Sequence, residues 1–154
     1  MPPRGLIAGI ARTALIAAAL GFHCASSHTQ TLTLHLLNGK SGKPMNHKKV
    51  TFNWYGTSDF LKSEIAVDAH GNATVTVPAG ANGFSMLSGP RMHGDVYRVA
   101  FIQCNANSSP ISVSDVVKHG VVPDNGCGQA RVPAKSGEVV FWGKPLPWWM
   151  PDMQ

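Results

Sequence analysis

The chain has 154 residues, three cysteines and a formal charge of +5, with 13 basic residues against 8 acidic ones. Its basic residues cluster nowhere beyond Lys48-Lys49, and no aromatic side chains interleave with a basic stripe, so the footprint of a nucleic-acid binder is missing. The length suits one domain with its own core and is short for two.

Met1 to Arg12 carries Arg4 and Arg12 and no acid, and the run from Thr13 to Phe22 is apolar throughout. A secretion signal needs a basic start that stays on the cytoplasmic side, an apolar helix of roughly 7–15 residues, and small residues near the cleavage point. Residues 1–26 meet all three conditions, with cleavage after Gly21, where Ala19 takes the minus-three position, or after Ser26. The run is shorter than the about 20 apolar residues of a membrane span. The expectation is therefore an exported chain, secreted or periplasmic, with no transmembrane segment in its mature form; an uncleaved anchor or a buried core helix is the competing reading. Losing Arg4 and Arg12 leaves eleven basic residues against eight acidic ones, a formal +3.

Thr31 to Leu37 alternates, with leucines on one face and Thr31, Thr33 and His35 on the other, which predicts a half-buried strand. Asn38 to Pro44 follows as a turn with two glycines and a proline. A second strand is predicted where Val50, Phe52 and Trp54 alternate with Thr51, Asn53 and Tyr55. Glu64 to Val67 and Ala73 to Val77 flank the turn Asp68-Ala69-His70-Gly71-Asn72 and read as a hairpin. Gly83 to Leu87, Val96 to Gln103 and Glu138 to Trp142 supply the remaining strands. Short strands separated by Gly/Pro turns at roughly a dozen residues suggest a β-sandwich over residues 31–144.

Cys104 and Cys127 flank a segment rich in Asn, Ser and Pro, and in an oxidising compartment they are the natural disulfide pair. Closing a loop of that size contributes about 3 kcal/mol in the chain-entropy model. Cys24 lies beside the cleavage point, and Gly21-Phe22-His23 does not resemble a lipoprotein signal. Within the bridged segment Ser112 is a helix cap with Asp115 three residues on, Val113, Val116 and Val117 form an apolar face, and Gly120 ends the helix after Lys118 and His119. Residues 145–154 form a tail rich in Trp and Pro.

Leu37-Asn38-Gly39-Lys40-Ser41-Gly42-Lys43-Pro44-Met45, the Val50-Thr51-Phe52 strand and the run Asp68 to Pro78 together resemble the carboxypeptidase-regulatory-like or transthyretin-like (prealbumin-like, Cna-B-type) domains. The remainder, from Ser112 through Cys127-Gly128 to Trp148-Trp149, resembles small secreted proteins of soil bacteria. The resemblance implies a mainly β, prealbumin-like, seven-stranded sandwich with one short helix in a disulfide-bounded segment. It carries over no catalytic or binding residue, because the shared positions are turn glycines, a turn proline and apolar core residues.

The histidines are scattered, with no His-x-His or His-x3-His pair, and neither Cys104 nor Cys127 has a close metal-ligand companion, so no cofactor or metal set emerges. Asp68 and His70 have sufficient reason to sit in a turn. Gly83-Phe84-Ser85-Met86-Leu87 lacks the second glycine of a nucleophile elbow, and the Gly39 to Pro44 loop is too short to cradle phosphate. The feature with a binding character is aromatic: Trp54, Trp142, Trp148 and Trp149 are candidate ligand contacts, with a tail folded back over its own sandwich as the alternative for the last two. The leading expectation is a non-catalytic interaction or accessory module that meets a polysaccharide or another exported protein. A carbohydrate-binding domain is the second reading, and a hydrolase whose site no motif marks is the third.

Overall fold

The computed structural model describes residues 29–93, 96–105 and 109–147. Residues 1–26 with Cys24, and Trp148 and Trp149 of the tail, lie outside the described residues.

In chain order the elements are β1 (Thr31–Asn38), β2 (Lys49–Tyr55), β3 (Lys62–Ala66), β4 (Asn72–Thr76), β5 (Gly83–Ser88), β6 (Pro90–His93), β7 (Val96–Val99), β8 (Ile102–Gln103), β9 (Ile111–Ser112), helix α1 (Val113–His119) and β10 (Glu138–Lys144). One sheet has the order β4-β1-β10-β8 and the other β3-β2-β5-β9, while β6 and β7 form a separate two-stranded ribbon. The sandwich thus has eight strands in two four-stranded sheets rather than seven strands, because short β8 and β9 complete the two edges.

Period-two alternation places one face of each inner strand in the core. Leu32, Leu34 and Leu36 of β1 meet Val50, Phe52 and Trp54 of β2, and all six are buried. Across β2 and β5 the rings of Phe52, Trp54 and Phe84 lie with centroids 5.1–5.5 Å apart, separations at which aromatic pairs add to simple area burial. Phe101 packs edge-on against Phe141 at 5.5 Å.

The segment read as a hairpin around Asp68 is instead a corner between sheets. Strand β3 pairs with β2, whereas β4 pairs with β1. The backbone hydrogen bonds show why: Val67 N–H donates to Lys48 O on the β2 side, and Leu36 N–H of β1 donates to Gly71 O. Alternation reports which residues share a face and is blind to which sheet receives them. Gly71 sits here with φ +73°, and a Cβ on it would lie 2.6 Å from Leu36 O, so the corner needs glycine for both conformation and space.

The single strand expected over Val96 to Gln103 is broken into β7 and β8, with Ala100 and Phe101 between them buried under the sheet edge. The edge of β10 is consequently finished piecemeal. Val121 exchanges backbone bonds with Glu138 and Val140, the Asn105 side chain accepts from Trp142 N–H at 2.9 Å, and β8 pairs with Gly143 and Lys144. Strand β10 also runs on to Lys144, two residues past the expected Trp142.

Helix α1 forms where its caps place it. Ser112 Oγ accepts from Asp115 N–H, Val113 and Val116 are buried, and Gly120 N–H returns to Val116 O with φ +72°. The helix end is docked by Ser136 Oγ donating to Lys118 O and Gly137 N–H donating to Val116 O.

Cys104 and Cys127 are joined by a disulfide with a Cα–Cα distance of 5.2 Å. It anchors a second, smaller core on the outer face of the first sheet. There Trp142, Val140 and Cys104 are covered by Ala130, Val132, Ala134 and Cys127 from the irregular segment after α1. Asn125 fixes that segment by donating to Gly39 O (2.7 Å) and Ala130 O (3.1 Å). Gly128 lies tight against the end of β1, since a Cβ there would stand 2.4 Å from Gly39 O. Strand β10 is therefore buried on both faces, which accounts for its continuous run Val139-Val140-Phe141-Trp142.

Candidate functional site

Trp54 and Trp142 do not form a contact surface. Trp54 is 1% exposed and its Nε1–H donates to Ser63 Oγ at 3.0 Å. Trp142 is also 1% exposed, and its Nε1–H donates to Pro123 O at 2.8 Å. Both are core side chains whose polar edges are satisfied inside the fold, and neither offers a ring face to solvent. Trp148 and Trp149 lie outside the described residues.

The two outer faces of the sandwich differ. The first sheet carries the disulfide-held covering over Val140 and Trp142. On the outer face of the second sheet, Asn53 and Tyr55 of β2 and Ser85 of β5 come together through the pairing that sets Asn53 opposite Ser85. The Tyr55 hydroxyl lies 3.1 Å from Ser85 Oγ, and the Asn53 amide donates to the same oxygen at 3.5 Å. Tyr55 is paired with Gly83, so no side chain of β5 lies directly across from its ring, and Lys62 of β3 is the cross-strand partner of Asn53. Asn53 Oδ1 is buried without a hydrogen-bond partner. Such an orphaned acceptor, left without water or another partner, costs about 1–3 kcal/mol.

Asn53 and Tyr55 stand between two grooves. One, of about 340 Å³, extends toward Phe60, Leu61 and Lys62 at the β2–β3 connection. The other, of about 210 Å³, is bounded by Ser85, Leu87, Gln103 and Asn105. Phe60 is 90% exposed, and Leu61 and Leu87 are also exposed, so apolar surface flanks the polar ridge on both sides. No family model, curated protein or solved structure matches the chain. The candidate site therefore stands on its own geometry.

A hydrolase needs a nucleophile, a base and an orienting group in reach of one another. Among the described residues, neither groove beside Asn53 and Tyr55 is lined by histidine or by an acid. Among the described residues no group of three His, Cys, Asp or Glu side chains lies close enough to hold a metal ion. His35 is engaged on the other sheet, with Nδ1 2.7 Å from Asn72 Oδ1 and Nε2 3.7 Å from Glu138 Oε2.

Asp68 organises the corner it begins. Its carboxylate accepts from Asn72 N–H and His70 N–H, each at 2.8 Å. The bond from Asn72 is the largest influence holding its pKa below the usual carboxylate value, with that from His70 and the nearby His70 and His47 adding to it against an opposing desolvation. A lowered folded pKa gives stabilisation that is present above the unfolded pKa and lost as pH falls through the folded value. In thermal melts, Asp68→Asn should therefore be less stable than the parent at neutral pH, and the gap should close as the pH falls below the ordinary carboxylate range. A gap independent of pH would contradict this role.

Proposed function

We propose that this chain is an exported, non-catalytic interaction module whose contact surface is the outer face of β2 and β5. Export is supported by the signal pattern of residues 1–26 and by the Cys104–Cys127 bridge, since disulfides persist in oxidising compartments. The observation that carries the contact surface is the cluster of Asn53, Tyr55 and Ser85 on a ridge between two open grooves, with one amide oxygen left unpaired. The opposite outer face is occupied by the chain's own irregular segment.

Placement with the transthyretin-like, prealbumin-like sandwiches is part of the same reading. The Asn38 to Pro44 turn and the Asp68 corner, which carry the sequence resemblance, each stand where the chain passes from one sheet to the other. That framework supplies a rigid pair of sheets and leaves the chemistry to residues outside the shared positions.

Co-sedimentation of the mature protein with insoluble envelope material from the source organism tests the proposal. The parent protein should be retained, and an Asn53→Ala/Tyr55→Ala variant with an unchanged melting temperature should not be. Equal retention of the two, or retention of neither, would rule the proposed surface out.

A further inference from the structure

We infer that two copies of this chain associate through the open edge of β3, antiparallel about a twofold axis at Ser63. Strand β3 ends its sheet, paired with β2 alone, and an open strand edge is a template for another strand. The register with β2 fixes which backbone groups point outward. Trp54 N–H donates to Leu61 O and Val67 N–H to Lys48 O, and in an antiparallel ladder such bonded pairs recur at every second residue. Leu61, Ser63 and Ile65 therefore direct their amides and carbonyls to β2. Lys62, Glu64 and Ala66 aim theirs at the open edge, where among the described residues none has a backbone partner. The outer edge of the other sheet differs, because β4 is closed at its start: Asn72 N–H donates to the Asp68 carboxylate, and Asn72 O accepts from Asp68 N–H.

Charge selects the register. The outward-directed residues of one copy must meet those of the other, so a central axis falls at Lys62, Ser63 or Glu64. An axis at Lys62 sets two ammonium groups face to face, and one at Glu64 two carboxylates; like charges directly opposite are destabilising. An axis at Ser63 sets Lys62 opposite the partner's Glu64 and Glu64 opposite the partner's Lys62. Both side chains are exposed on the outer face, where β2 places Asn53 beside Lys62 and Thr51 beside Glu64. Lys49 Nζ, 3.9 Å from Glu64 Oε2, flanks the carboxylate from within the same copy, a solvent-exposed pair that contributes little by itself. Charges on an edge strand ordinarily oppose strand addition; a lysine and an acid two residues apart instead specify one register of it.

The same register covers apolar surface. Leu61 falls opposite the partner's Ile65 and Phe60 opposite the partner's Ala66, so residues 60–66 are complementary to themselves reversed. Phe60 is 90% exposed and Leu61 is exposed beside it, whereas Ile65 already packs against the larger core. Pairing joins the two second sheets into one of eight strands, β9-β5-β2-β3 continued by the same order reversed. It uses no side chain of the Asn53–Tyr55 ridge and sets two such ridges on one face, about 14 Å apart across the strands. The contact spans few residues and belongs with small, weak interfaces, so a dissociation constant on the order of 10–100 μM is expected. The dilute chain is then monomeric, with Phe60 and Leu61 open to solvent.

Sedimentation velocity of the full mature chain from about 1 to about 500 μM, a range that brackets the expected constant, is the test. The parent should pass from monomer to dimer. Lys62→Glu and Glu64→Lys, each confirmed as folded by its melting temperature, should each weaken the dimer by about tenfold or more, since either change makes both cross-strand pairs like-charged. An equimolar mixture of the two variants should associate as the parent does, because each copy then meets opposite charge at both pairs. Hydrogen exchange at the amides of Lys62, Glu64 and Ala66 should slow as the parent's concentration rises, while those of Ser63 and Ile65 stay unchanged. A parent that remains monomeric throughout, a dimer indifferent to either reversal, or a mixture that fails to associate would each overturn the inference. Exchange that slows elsewhere and not at those three amides would do the same.

Discussion

Trp142→Ala is expected to lower the unfolding free energy by about 3–5 kcal/mol, the range for emptying a large aromatic site in a core. Trp142 is the largest side chain of the smaller core and is covered by Ala130, Val132 and Ala134 of a segment with no regular structure of its own. Its indole also donates to Pro123 O, and its backbone N–H is held by Asn105. A truncated side chain would leave the covering segment without the surface on which it lies. Trp142→Phe, which restores most of the volume and loses the donor, should recover more than half of the loss. Denaturant unfolding measures both variants; a loss below about 1 kcal/mol for Trp142→Ala would mean that the residue is not packed as described.

Removing the bridge by Cys104→Ser/Cys127→Ser is expected to cost about 3 kcal/mol, from the freedom returned to the unfolded chain across a separation of 23 residues. The two sheets should survive, because the larger core of leucines, Phe52, Trp54 and Phe84 makes no use of the bridge. Far-UV circular dichroism should therefore change little at low temperature while the unfolding midpoint falls. The two perturbations act on one small core and should not add. A double-mutant cycle between the bridge and Trp142 is expected to show a coupling of about 0.5–3 kcal/mol. Strict additivity would separate the disulfide from the covering it is assigned to hold.

Much of this framework is legible in the residues. Strands β1 and β2 follow from strict alternation, α1 from Ser112 and Gly120, and the disulfide from two cysteines around a weakly structured segment. The corner at Asp68 was not legible, because alternation around a turn looks the same whether the second run returns beside the first or crosses to another sheet. The short strands β8 and β9 have too few residues to show a period.

The site was harder still. Tryptophan is the residue type that suggests a contact surface, yet Trp142 is hidden by a segment whose own sequence carries no periodic signal, and Trp54 points into the sandwich. The alternation that buries Val50, Phe52 and Trp54 does place Asn53 and Tyr55 outward, so that half of the ridge could have been found. Its other members, Ser85, Gln103 and Asn105, join it through strand pairing and the passage from β7 into β8, which no local pattern announces.

Hydroxyl-radical footprinting of the mature protein, free and bound to envelope material, tests the contrast between the two outer faces most directly. Tyr55, Phe60, Leu61 and Leu87 should be oxidised readily in the free protein, with Trp54 and Trp142 spared, and binding should protect Tyr55 and Leu87. Oxidation of Trp142 in the free protein together with its protection on binding would contradict the account and move the contact surface to the face assigned here to the disulfide-held segment.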